Sequence, residues 1–118
     1  MSTVAEPIIG NLSFVFKHIQ QTEESVHVIC PPKHFDECLR LAIGGAPQGT
    51  DFVGPVLKLP SGAKMLIVSP LEAPPTKPFN VFFLGIIGEN TRAEQGGCDR
   101  WRSRAKQVID LGGSKQQT

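Results

Sequence analysis

The stretch "SVHVICPPKHFDECLRLAIGG", Ser25 to Gly45, changes its hydrophobic period part-way, and that change decides the fold class. Over Ser25–Cys30 the pattern alternates: Val26, Val28 and Cys30 share one side, Ser25 and His27 the other. Period two in β-branched residues reads as a half-buried strand. After Pro31–Pro32 the spacing becomes helical, with Phe35, Cys38, Leu39, Ala42 and Ile43 forming one apolar stripe. Pro32 suits a first helical position, Gly44–Gly45 suit a helix end, and Asp36 and Arg40 stand at i,i+4 for an ion pair. A strand followed at once by a helix points to a mixed α+β domain, and the 12 Gly and 10 Pro argue against a long helical bundle.

Upstream, residues 1–10 hold Pro7, Ile8 and Ile9 without a clear period and read as an extended arm. "NLSFVFKHI" alternates through Leu12, Phe14 and Phe16 and predicts a strand antiparallel to the one at 25–30. Downstream, "DFVGPVLKLPSGAKMLIVSP" reads as a hairpin turning at Pro60–Gly62, with Pro55 marking a first strand that is an edge or begins late. "SPLEAPPTKP" has four prolines in ten residues and is a loop. "FNVFFLGII" is nearly all apolar, as a strand covered on both faces should be. Thr91 and Glu94 have capping-box spacing, Gly96–Gly97 interrupt, and "CDRWRSRAKQVIDLGG" restarts a helix that ends at Gly112–Gly113. The expectation is one α+β domain over 11–113, in the order ββαβββα, with a polar tail at 114–118. Its sheet would be largely antiparallel, of about five strands with two helices.

Composition narrows the function classes. The chain of 118 residues is 40% hydrophobic and 19% charged, the profile of a folded domain rather than a disordered segment. Three scattered cysteines make no disulfide framework, the N-terminus has no signal-peptide pattern, and no apolar run spans a membrane. A reducing, cytoplasmic location without a membrane partner is expected. The net charge of +1 is unevenly placed: residues 92–118 hold six of the twelve Lys and Arg but three of the eleven Asp and Glu.

Four groups of residues carry candidate chemistry. His27, Cys30, His34 and Cys38 are ligand types within twelve residues, but alternation separates His27 from Cys30 and the stripe turns Cys38 inward, so a zinc site is a remote reading. Cys30, at a strand–helix junction, and Cys98 are candidate thiol nucleophiles, yet neither has a recognisable base and oxyanion site. "LGIIGENTRAEQGG" has the strand–loop–helix order of a phosphate loop but neither the Walker lysine nor a G-x-G-x-x-G run. The basic helix is the strongest feature: Arg100, Arg102, Arg104 and Lys106, with Arg92 nearby and Trp101 among them, suit phosphate or an acidic protein surface.

No catalytic constellation and no cofactor motif emerge, so the leading expectation is a non-catalytic assembly protein of the small accessory, adaptor or virion-type structural kind. It would act as a homo-oligomer or as part of a larger protein assembly. Its contacts would come from the arm (Ile8, Ile9), the proline-rich loop (Pro74, Pro75, Lys77) and the basic helix. Nucleic-acid binding through the basic helix, with Trp101 stacking on a base, is the alternative, and a thiol- or metal-dependent enzyme comes third.

Overall fold

The strand read at 25–30 turns out to be the middle of the sheet. The computed structural model describes residues 5–84 and 91–111 of the chain. In chain order its elements are α1 (Ala5–Thr22), β1 (Val26–Ile29), a single 3-10 turn (Pro32–His34), α2 (Phe35–Gly45), β2 (Asp51–Val53) and β3 (Val56–Lys58). There follow β4 (Lys64–Val68), β5 (Asn80–Phe83), α3 (Arg92–Arg104) and β6 (Gln107–Asp110). The result is one α+β domain with a mixed six-stranded sheet in the order β2-β3-β4-β1-β5-β6.

Besides the division of the run at 51–59 by Gly54–Pro55 into β2 and β3, which makes β3 an inner strand that begins late, three features depart from the expected ββαβββα order. First, residues 5–22 form one helix where an extended arm and a strand were expected. Leu12, Phe14 and Phe16 do alternate, but the wider set Ile8, Leu12, Val15, Phe16 and Ile19 recurs at helical spacing, and those five side chains are buried. Each contributes about 1.5–3 kcal/mol when fully buried, which outweighs a three-residue alternation. Pro7 is tolerated because it lies in the first turn, where backbone N–H groups have no helical partner.

Second, the central sheet is parallel. β1 pairs in parallel with β4 and β5, and β5 with β6, while only β2–β3 and β3–β4 are antiparallel. The chain crosses from β1 to β4 by way of α2 and the β2–β3 hairpin, and from β5 to β6 by way of α3. Third, α3 runs through Gly96–Gly97 without a break and stops at Arg104, and residues 107–110 leave as β6. The Lys106 N–H donates to the Phe79 carbonyl at 2.7 Å, and Val108 and Ile109 then follow the edge of β5. The two β-branched residues fit a pleated strand better than a helix end.

Other expectations hold. β5 is buried at all four positions and has a strand on either side. The hairpin β3–β4 turns at Pro60–Gly62, where Gly62 has φ +97°. Within α2, Cys38 and Ala42 are buried and Phe35 and Leu39 pack on the core, but Leu41 takes the inner place expected of Ile43, which is exposed.

The sheet has two apolar faces. On one, Val26, Val28, Met65, Ile67 and Phe82 lie under α1 and α2. On the other, Ile29, Val68, Val81 and Phe83 lie under Trp101 and Cys98 of α3. One cross-strand row on the α3 face runs through all six strands: Val53, Val56, Leu66, His27, Val81 and Val108. His27 is the sole polar member of that row.

Candidate functional site

The α3 face holds the aromatic and basic residues singled out in the sequence. Trp101 is 1% exposed, and its indole N–H donates to the Glu72 carbonyl at 2.9 Å. Its ring packs on Phe79 and His27, with centroid separations of 5.3 and 5.5 Å. Trp101 is thus a core residue that ties the proline-rich loop to the helix, and its ring is closed to a nucleic-acid base. His27 Nδ1 is buried without a hydrogen-bond partner, and burial lowers the imidazole pKa below its ordinary value, with Glu72 opposing in part. The neutral ring is the form this apolar setting favours.

Arg102 is also engaged within the fold. Its guanidinium grips both carboxylate oxygens of Asp110, at 2.6 and 3.0 Å, and lies 4.1 Å from the Phe83 ring centroid. The bonds to Asp110 hold its pKa above the usual arginine value. Arg92, Arg100, Arg104 and Lys106 are exposed and have no ion pair among the described residues. Arg92, Arg100 and Arg104 are spaced by multiples of four and share one flank of α3.

The His/Cys stretch is divided by the sheet. His27 faces α3, whereas Cys30 and Cys38 are fully buried on the α1–α2 side. His34 sits at the start of α2. Among the described residues no group of three or more His, Cys, Asp or Glu is placed to hold a metal. The Cys30 thiol is held protonated, chiefly by its hydrogen bond with Cys38 and then by burial. Burial likewise raises Cys98, with Arg102 opposing. Neither thiol has the depressed pKa of an activated nucleophile. The glycine-rich residues 85–90 lie outside the described residues, so the phosphate-loop reading has no geometry to examine.

The arm and loop residues separate by burial. Ile8 is wholly buried beneath α1, while its neighbour Ile9 is 48% exposed. Pro74 is buried, Pro75 half-buried and Lys77 exposed. Residues 1–4 of the arm and 114–118 of the tail lie outside the described residues.

A groove that the sequence reading missed lies between the first two helices. Its volume is about 460 Å³; α1 supplies Ile9, Leu12 and Phe16, and α2 supplies Leu41 and Gly44. Arg40 and Ser13 provide its polar groups, and Arg40 is exposed. The expected Asp36–Arg40 pair does not form, and Arg40 has no ion pair among the described residues. A Cβ built on Gly44 or Gly45 meets nothing within 4 Å, so the groove is open where the helix runs out. The signal was present in Ile9, an apolar residue beside the inward stripe of α1, and in the Gly44–Gly45 pair. It became legible only once residues 5–10 were helical.

Large apolar side chains are exposed at several places, and of these only Ile9 lines the groove, while Val53 on the α3 face and Leu71 of the proline-rich loop are also in water. Ile9, Phe14 and Ile43 are exposed on α1 and α2, and Phe52 of the edge strand β2 pairs with Leu57, whose side chain belongs to the same core. Compared with known proteins, the chain matches no family model, no curated protein and no solved structure. No helix among the described residues is long and apolar enough to cross a membrane.

Proposed function

We propose that this chain is a non-catalytic assembly protein that works through protein–protein contact, with the outer surface of α1 and α2 as its binding face. The observation that carries the reading is the open apolar groove between α1 and α2, lined by the half-exposed Ile9 together with Leu12, Phe16 and Leu41. Single exposed hydrophobes are ordinary, but a contiguous apolar surface with a cleft is a feature of interaction sites. The contacts are those of a homo-oligomer or a component of a larger assembly, and no cofactor enters. Three free, buried cysteines are compatible with a reducing, cytoplasmic setting.

The test combines light scattering of the purified chain with affinity capture. The expected result is an oligomer or a stoichiometric partner that is lost in an Ile9→Asp, Ile43→Asp double variant with an unchanged denaturation midpoint. A strict monomer that captures no partner contradicts the reading.

A second reading is nucleic-acid binding along the flank of α3 that carries Arg92, Arg100 and Arg104, with Lys106 nearby. It is favoured by four exposed cations without ion pairs among the described residues. It would use phosphate contacts alone, since Trp101 is buried and Arg102 is bound to Asp110. Its signature is an affinity that falls steeply with salt and drops when Arg100 and Arg104 become Ala.

A further inference from the structure

We propose that the occupant of the α1–α2 groove is the edge strand of a second copy of this chain, with Phe52 as the apolar anchor and Asp51 meeting Arg40. The inference rests on the assembly reading and specifies its partner. The receiving side is the apolar groove with an unpaired guanidinium at its mouth. An occupant must therefore bring an apolar side chain for the space between the helices and a carboxylate for Arg40.

The chain itself displays that combination. Asp51, Phe52 and Val53 of β2 are all exposed, and β2 forms the outermost strand of the sheet. Phe52 is a large apolar side chain with 43% of its surface in water, next to a carboxylate that makes no ion pair among the described residues. Neighbouring side chains on a strand point to opposite faces. When the Phe52 ring enters the groove, the Asp51 carboxylate therefore stays at its mouth, within the reach of a long arginine side chain. The free edge of β2 adds unpaired backbone groups, and three residues are too few to template an open-ended sheet. A side-chain anchor in a groove is the contact left to it.

The alternative occupant, a small apolar acid filling the groove alone, would leave Phe52 of the edge strand in water. A second copy covers apolar surface on both sides of the contact. Asp36 and Glu37, one turn before Arg40 on α2, repel a further acid near the helix start. They direct an incoming carboxylate to the Arg40–Gly44 end of the groove.

The test is a charge swap read by sedimentation equilibrium on the full chain. The wild type should self-associate. Arg40→Asp and Asp51→Arg should each weaken association about tenfold or more, and the double variant carrying both should recover most of the loss. Gly44→Met, whose side chain would fill the groove without a steric conflict at Cβ, should also weaken association. Denaturation midpoints of all variants should stay near wild type, since every altered position is exposed. A self-association that none of these variants changes overturns the proposal, as does a double variant no better than the worse single one. A wild type that is monomeric but binds another protein through this face overturns the second-copy inference and leaves the assembly reading standing. A monomer with no partner removes both.

Discussion

The two faces of the sheet are finished differently. Over β1, β5 and β6, α3 closes the structure with polar ties: the Trp101 N–H on Glu72, Arg102 on Asp110 and on the Phe83 ring. Its outer surface is charged, with Asp99, Arg100 and Arg104 in water. Over the opposite face, α1 and α2 bury a purely apolar stripe and also leave Ile9, Phe14 and Ile43 outside. The first layer ends in charged side chains, and the second leaves large apolar ones in water. The comparison teaches that the most eye-catching residues in the sequence, the Trp and its arginines, serve the fold to a large extent, while the plainest helices carry the open surface.

The largest expected effect lies on the closed side. Trp101→Ala removes a buried indole and the only side-chain bond to the Glu72 carbonyl among the described residues, and should cost about 3–5 kcal/mol in urea unfolding. A loss below about 1 kcal/mol would mean that α3 is not closed as described. Gly97→Ala comes next. A Cβ there would collide with the Pro70 carbonyl, so the helix must move off the loop, at about 1–3 kcal/mol by the same measurement.

His27 sharpens the comparison through pH. Its folded pKa lies below the ordinary 6.5, so as pH falls the unfolded chain takes up the proton first. The stability linked to this residue is therefore full above 6.5 and is lost as pH drops below it through the folded value. His27→Val, which continues the apolar row, should flatten that slope. An unchanged slope in the variant would assign the dependence to another group.

Smaller effects follow at the surface. Arg102→Ala breaks a bidentate pair that is half in water, and should cost no more than about 1 kcal/mol, less at high salt. On the open side, Ile9→Ser and Ile43→Ser should change stability by no more than about 0.5 kcal/mol. A larger loss would place those side chains in the monomer core and erase the contrast between the faces.

What was legible in the sequence was local. β1, α2 and the hairpin turn at Pro60–Gly62 could be read because period, proline and glycine act within a few residues. The parallel pairing of β1 with β4 and β5 could not, because no turn records a partner dozens of residues away. At β6, the basic run before it extended a helical pattern past Arg104, and the competing hydrogen bond comes from Phe79, far off in the chain. The candidate site divided in the same way. Exposure of Arg100, Arg104 and Lys77 followed from charge alone. The burial of Trp101, Ile8 and Pro74 and the groove beside Arg40 arise from elements that meet only in the folded chain.

The central claim, that the α1–α2 surface is the binding face and the α3 surface is not, is tested most directly by two pairs of charge reversals or insertions compared side by side. The measurement is the association constant, with itself or with a captured partner, of Ile9→Asp plus Ile43→Asp against Arg100→Glu plus Arg104→Glu. The expected result is a loss of about tenfold or more, some 1.4 kcal/mol, for the first pair and wild-type association for the second. Wild-type association in the first pair and its loss in the second would contradict the account and transfer the binding face to α3.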